Sequence, residues 1–168
     1  MTDERAGDAL WEALARLPRG AGVVFRHHGT PPAARRVLLR RVFEVARRLG
    51  LHLVVAGEAY GLNVGGHNRR ARSGLVTRSA HSRGEAIAAA RAGADAIFVS
   101  PVFATRSHPG AAPIGVSGFA QVARTSTGMA IALGGMDARR FRLLRRHGAH
   151  GWGAIDALTV TKRERKRG

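Results

Sequence analysis

The segment Ala92-Gly93-Ala94-Asp95-Ala96-Ile97-Phe98-Val99-Ser100-Pro101-Val102-Phe103-Ala104-Thr105-Arg106-Ser107-His108 constrains this chain more than any other. It reads as the end of a helix, a strand apolar on both faces, and a polar loop. The later run Ala132-Leu133-Gly134-Gly135-Met136-Asp137 repeats the strand-to-loop half of the pattern. Strands apolar on both faces belong in parallel sheets covered by helices, so the two segments together predict repeated βα units.

The rest of the chain carries the same period. Ala9, Leu10, Ala13, Leu14 and Leu17 share one helical face, and Pro18-Arg19-Gly20 stops that helix. Residues 22–28 predict a strand opening into a polar loop, broken by Gly29-Thr30-Pro31-Pro32. Over 33–49, Leu38, Val42, Val45 and Leu49 oppose Arg36, Arg40, Glu44, Arg47 and Arg48, so the arginine pairs read as a solvated helix face ending at Gly50. Strands over 51–56 and 61–66 follow each other with too few residues between them for a crossover helix, and local irregularity is expected there.

Beyond them the pattern gives a strand over 74–79, a helix over 82–92, a strand over 96–100 and a helix near 118–125. A strand over 129–133, a helix over 138–147 and a last strand over 151–155 complete it. About seven strands and as many helices fit either a closed (β/α)8 barrel or an open doubly wound sheet, and the strand count favours the barrel. The expected fold is α/β, a small TIM (β/α)8-type barrel in one domain over 1–161. Met1-Thr2-Asp3 would be the C-terminal stub of a truncated first strand, and 162–168 a basic tail.

Composition bounds the function classes. With 168 residues and 45% hydrophobic content, the chain is long enough to bury a core. No apolar run approaches the roughly 18 residues of a membrane span, and Asp3, Glu4 and Asp8 stand where a signal peptide would be basic, so a cytoplasmic protein is expected. Cysteine is absent, which removes disulfides, thiolate zinc sites and cysteine nucleophiles. The net charge is +17, and all 28 basic residues except Lys162 and Lys166 are arginine. Such a field attracts any polyanion without choosing among them, and no motif for specific nucleic-acid readout accompanies it.

In a parallel barrel the reactive groups lie at the C-terminal ends of strands. The pattern places there Arg26 and His28, Gly57 and Glu58, Asn63 and Gly66, Ser79 and His81, Ser100 to His108, Gly134 and Gly135, and Ile155 and Asp156. The two late glycine-rich turns, at Gly134-Gly135 and Gly153-Ala154, fall in the loops where backbone N–H groups commonly hold a phosphate.

Val24-Phe25-Arg26, Thr77-Arg78-Ser79-Ala80-His81-Ser82, Gly93-Ala94-Asp95 through Pro101-Val102-Phe103-Ala104-Thr105, Ala132-Leu133-Gly134-Gly135 and Gly151-Trp152-Gly153-Ala154-Ile155 come in a particular order. In that order they resemble the thiamine-phosphate synthase and thiazole tautomerase superfamily over nearly the whole chain. The resemblance implies a TIM barrel that joins hydroxymethylpyrimidine diphosphate to thiazole phosphate, with Mg2+ on the departing pyrophosphate. It implies His81 and Ser79 as catalytic groups, Arg26, His28, Thr105 and His108 as substrate-binding, and Gly134, Gly135, Ile155 and Asp156 as phosphate-binding. No metal ligand is implied, because the family's positions have changed. Its Gln-x-Arg-x-Lys strand end is Val24-Phe25-Arg26-His27-His28, its Asn-Asp is Ala56-Gly57, its later aspartate falls on Asn68, and its loop lysine is His108. Asp156 stands where the family usually has a small hydroxyl residue.

Two other readings follow from the same residues. In the tautomerase branch the histidine matching His81 shuttles a proton, and such a protein would bind thiazole phosphate without coupling it. A non-catalytic polyanion-binding protein would use the charge alone. The partners expected are a small-molecule phosphate and, at most, further copies of the chain, with no membrane and no specific nucleic acid.

Overall fold

The computed structural model describes residues 1–71, 73–105 and 110–154. Seven parallel strands pair strictly in chain order among these residues. They are β1 (Gly22–Phe25), β2 (His52–Ala56), β3 (Gly65–His67), β4 (Val76–Ala80), β5 (Ala96–Val99), β6 (Met129–Ala132) and β7 (Gly151–Trp152). The helices are α1 (Ala9–Ala15), α2 (Pro32–Leu49), α3 (Arg83–Arg91), α4 (Gly115–Ala123) and α5 (Ala138–Arg145), with a 3-10 turn at Glu4–Ala6. The sheet curls into the α/β architecture of a TIM-type barrel, as the strand count predicts.

The first residues lie at the seam. Thr2 N–H donates to the Val24 carbonyl (2.8 Å) and the Met1 nitrogen donates to the Ala154 carbonyl (2.9 Å). The two residues thus touch both β1 and the segment leaving β7, where a first strand would close the barrel.

Local chemistry sets the helix ends. α2 starts on Pro32, whose missing N–H costs nothing in the first turn, and stops at Gly50 with φ 64°. Ser82 caps α3 by accepting from Glu85 N–H (3.2 Å), and Glu85 reaches back to His81 N–H (2.8 Å). Asp137 caps α5 by accepting from Arg140 N–H (2.8 Å).

Five α-helices occur among the described residues, the five that the sequence pattern marks out by range, and they are fewer than the strands because neither 57–64 nor 68–75 forms one. Glycine makes the compact alternative possible. A Cβ on Gly65 would lie 2.5 Å from the Leu75 carbonyl oxygen, and one on Gly66 would lie 2.7 Å from that of Arg69. Loop backbone therefore packs directly on β3, which begins later than the 61–66 run suggests.

Two apolar clusters fill the space between sheet and helices. Leu10, Leu14, Val23, Phe25, Leu39, Val42, Leu53 and Val55 join α1 and α2 to β1 and β2. Ala80, Ile97, Val99, Phe119, Val122, Ala130, Ala132 and Leu144 join the later strands to α3, α4 and α5. Alternation along the strands leaves Val24, Val54, Phe98 and Ile131 for the barrel interior. Gly151 and Gly153 leave room there, since a Cβ on Gly153 would stand 3.3 Å from Leu133 Cδ1.

One arginine of α2 departs from the solvated-face expectation. Arg35 is only 6% exposed. Its guanidinium donates to four carbonyl oxygens, those of His27 (3.2 Å), Glu58 (2.8 Å), Arg26 (3.3 Å) and Ala56 (2.5 Å), and lies over the rings of Phe25 and Tyr60. Arg35→Met leaves these carbonyls without their donor, and is expected to lower the unfolding free energy by about 3 kcal/mol or more. Arg36→Met on the exposed face should change it by no more than about 0.5 kcal/mol. Urea denaturation of the two variants checks the difference.

Candidate functional site at the barrel mouth

Strands β3 and β4 bring His67, Asn68, Thr77 and Ser79 into one hydrogen-bonded neighbourhood, and Arg26, at the end of β1, is near enough for its charge to act on His67. His67 is 6% exposed, with Nδ1 at 2.9 Å from Thr77 Oγ1. Its Nε2 faces Asn68 Nδ2 (3.3 Å) and Ser79 Oγ (3.4 Å). Asn68 has φ 54°, and its orientation is fixed because Oδ1 accepts from the Ser79 backbone N–H (2.8 Å). The amide nitrogen must then point at His67 and at Ser79 Oγ (3.3 Å), which assigns Nε2 as acceptor and Nδ1 as the protonated nitrogen.

Burial is the main reason that the His67 imidazolium is disfavoured. The positive charges of Arg26 and His28 act in the same direction, and the pKa falls from the usual 6.5 to about 4. His67 is therefore neutral at physiological pH. His27, stacked on Phe25 at 4.7 Å and bonded to Thr2 Oγ1 (2.9 Å), is also pushed down, again chiefly by burial.

Arg26 is half-buried at the end of β1, and its backbone N–H donates to Thr2 Oγ1 (3.1 Å). Among the described residues its guanidinium has no ion-pair or hydrogen-bond partner. His28 is exposed on the loop beyond it. Together with Arg35, this corner of the mouth carries fixed positive charge with no carboxylate bonded to it.

His81 lies on the loop between β4 and α3, where Nδ1 stands 2.6 Å from the Ser100 carbonyl oxygen. A carbonyl only accepts, so Nδ1 carries the proton and Nε2 is the nitrogen available to a ligand. Thr105 is half-buried in the loop beyond Pro101.

Gly134 and Gly135 follow β6 with φ 89° and 60°, and pack against the loop after β5. Val102 N–H donates to the Leu133 carbonyl (2.9 Å) and Phe103 N–H to that of Gly134 (3.1 Å). A Cβ on Gly134 would stand 2.9 Å from Pro101 Cα, and one on Gly135 would run into the Ala104 carbonyl oxygen. The glycine pair is thus required by packing. Its N–H groups have no acceptor among the described residues, which leaves them for a ligand. His108, Ile155 and Asp156 lie outside the described residues, as does the tail 162–168.

Sequence reading missed His67 and Arg35. A histidine within Gly65-Gly66-His67-Asn68-Arg69 looks like a polar loop residue, and only strand pairing turns it inward. Arg35 looks like its neighbour Arg36, and its helical phase relative to Leu39 and Val42 was the available signal.

A curled parallel sheet covered by helices, with cationic and hydrogen-bonding groups at its C-terminal rim, defines a TIM-type α/β protein. The family profile described as thiamine monophosphate synthase (TMP-TENI) matches residues 2–158, and the chain belongs to that family. A thiamine-phosphate synthase from Chloroflexus aurantiacus is 32% identical over 133 residues, covering 70% of this chain and 62% of that protein. The chain therefore spans less than two thirds of that relative, and 44% of a second relative from Aquifex aeolicus.

Among solved structures, thiamine phosphate pyrophosphorylase from Pyrococcus furiosus superposes with a TM-score of 0.78 at 20% identity, over 98% of this chain and 88% of that one. The Bacteroides thetaiotaomicron pyrophosphorylase gives 0.60 at 19% identity, over 92% and 79%. At these identities the likeness concerns the fold. No helix among the described residues is long and apolar enough to cross a membrane.

Two outcomes follow from this geometry. Between pH 6.5 and about 4 the unfolded chain binds a proton at position 67 that the folded chain excludes, so stability rises with pH across this window and is lost as the pH falls through it. His27 adds to the slope with the same sign. Urea midpoints measured across this window should fall with pH in the parent and less steeply in His67→Gln; an unchanged slope in the variant contradicts the assignment. Gly135→Ala forces a positive φ on a Cβ residue and should cost at least about 1–2 kcal/mol in the same assay.

Proposed function

We propose that the chain is a thiamine-phosphate synthase-like transferase of thiamine biosynthesis, acting in the cytoplasm on two small phosphorylated molecules at the barrel mouth. The thiazole nitrogen lone pair forms the new C–N bond to the methylene carbon of hydroxymethylpyrimidine diphosphate. The C–O bond to the diphosphate breaks, and pyrophosphate leaves with that electron pair. The observation that best supports this reading is the half-buried Arg26 guanidinium, without a partner among the described residues, whose charge acts on the His67–Asn68–Ser79 network.

In this reading Arg26 takes the diphosphate, where charge develops as the C–O bond lengthens. His28 and Thr105 border the same ligand. Ser79 and His67 present a hydroxyl and an imidazole nitrogen to the heterocycle, and their mutual bonds limit the reorganisation needed on binding. The open N–H groups of Gly134 and Gly135 receive the phosphate of the thiazole, across the mouth.

The family resemblance implies Mg2+, and the residues described here do not fit it. No three His, Asp or Glu side chains converge on a cation site among the described residues. The two positions where the family has carboxylates hold Gly57, beside the Arg35 guanidinium, and Asn68, whose oxygen is already taken by Ser79 N–H. No step is assigned to the ion.

A second reading is favoured by the anchoring of His81 Nδ1 on the Ser100 carbonyl. That contact fixes the ring so that Nε2 can take a proton from one carbon of a thiazole phosphate and return it to another, as in a tautomerase.

Product analysis with both substrates separates the readings. Thiamine phosphate should form, and Arg26→Gln should lower kcat/KM about 100-fold or more. His81→Asn should leave coupling within a few-fold while abolishing any proton exchange into the thiazole. Thiazole phosphate that binds without yielding thiamine phosphate would sink the transferase reading and leave the second.

A further inference from the structure

We propose that the barrel mouth takes a diphosphate directly on Arg26 and the adjoining Ser79 hydroxyl, with no divalent cation between protein and ligand. The inference rests on the transferase reading for the identity of the anion, and on the following geometry for how that anion is held.

The first observation is the direction of the Asn68 amide. A magnesium ligand must offer oxygen, and Asn68 Oδ1 is committed to the Ser79 backbone N–H at 2.8 Å. Turning the amide over would break that bond and set the amide N–H against another donor. The group left facing the His67–Ser79 side of the mouth is the amide nitrogen, at 3.3 Å from both His67 Nε2 and Ser79 Oγ. The amide therefore offers no oxygen to a cation, and by donating to Ser79 Oγ and to the His67 Nε2 lone pair it leaves the Ser79 hydroxyl hydrogen for an anion.

The second observation is at the end of β2. Gly57, φ 78°, has no side chain to offer, and the nearest side-chain atom to its Cβ position is Arg35 Nη2 at 3.6 Å. Glu58 is exposed, and its own carbonyl accepts from Arg35 Nη1 at 2.8 Å. A divalent cation bound on that side would sit against a buried guanidinium held by four carbonyls, a fixed charge unable to move away.

The third observation is how the nearby carboxylates are used. Asp3 is paired with Arg5, Glu4 accepts from Gly29 N–H (2.7 Å), Glu85 from His81 N–H (2.8 Å) and Asp137 from Arg140 N–H (2.8 Å). What stands open is a guanidinium, whose planar fork matches two oxygens of a phosphate group. The mouth thus supplies by arginine the neutralisation that a metal supplies elsewhere, and supplies it permanently.

Calorimetric titration of the full chain with inorganic pyrophosphate, at fixed ionic strength in EDTA and then with excess Mg2+, tests this. Saturable one-to-one binding is expected in EDTA, with no tightening when Mg2+ is added. Arg26→Gln should weaken it about 10-fold or more, the loss of a charge-assisted bond, and Arg26→Lys should fall between. Glu58→Gln and Arg142→Gln, the latter on the outer face of α5, should bind within two-fold of the parent. Circular dichroism of each variant confirms folding.

Binding that requires Mg2+, or that weakens with Glu58→Gln, overturns the inference. Equal weakening by Arg26→Gln and Arg142→Gln also overturns it, by reducing the site to the general surface charge. The outcomes are distinct from those of the coupling assay. Coupling that needs Mg2+ keeps the transferase reading and removes this inference, whereas metal-free pyrophosphate binding without coupling does the reverse.

Discussion

The mouth of this barrel depends on a buried cation that has no carboxylate. Arg35 projects from the first turn of α2 into the carbonyl ends of β1 and β2, and four backbone oxygens together with two aromatic faces replace the water it gives up. Desolvating a guanidinium is costly, and carbonyl dipoles repay it only when several point at it in good geometry. The arrangement is therefore self-specifying. The strand ends must stay together for the charge to be tolerated, and the charge keeps the strand ends together. Carbonyl dipoles solvate the cation without cancelling it, so a unit of positive charge remains fixed beside Ala56 and Gly57.

That fixed charge acts in the same direction as burial in disfavouring a protonated His27. Arg26, His27 and His28 leave β1 directly over it. A cationic His67 would lose its water to burial and would face the charges of Arg26 and His28. The residue stays neutral and serves as a hydrogen-bond acceptor to Asn68. The network His67–Asn68–Ser79–Thr77 is built from uncharged groups for the same reason that Arg26 is left open.

The repeated βα order, the parallel sheet and the seam role of Met1 and Thr2 were legible because they rest on patterns with a period. Apolar runs bounded by Gly and Pro survive translation into structure almost unchanged. The short connections around β3 were legible as an anomaly only. That glycines at 65 and 66 let loop backbone lie on the strand requires knowing which atoms approach them, and no periodicity encodes that. Arg26, Ser79 and His81 could be placed because strand ends are the reactive positions of such a barrel. His67 could not, because the β3 register that turns it inward is set by pairing with Val54–Ala56 on one side and Val76–Thr77 on the other. Arg35 was hidden by residue type, since arginine is read as solvated unless its helical phase is weighed against its neighbours.

The net charge of +17 takes on a more definite meaning beside this site. Most of the ion pairs among the described residues join side chains that are about half exposed, so they are screened and each is worth little. Arginines spread over the outer helix faces make a field that draws phosphorylated molecules from any direction and fades with salt. Such a field raises encounter rates and confers no selectivity. Selectivity has to come from the few cations that cannot rotate away and from donors whose orientation is locked. Among the described residues the mouth combines the two, with Arg26 near a guanidinium pinned by carbonyls and an amide pinned by a backbone N–H. Surface charge can therefore drift in number and position with little consequence for the ligand, while a flip of the single amide at Asn68 would break its bond to the Ser79 N–H and with it the locked orientation of the groups around His67.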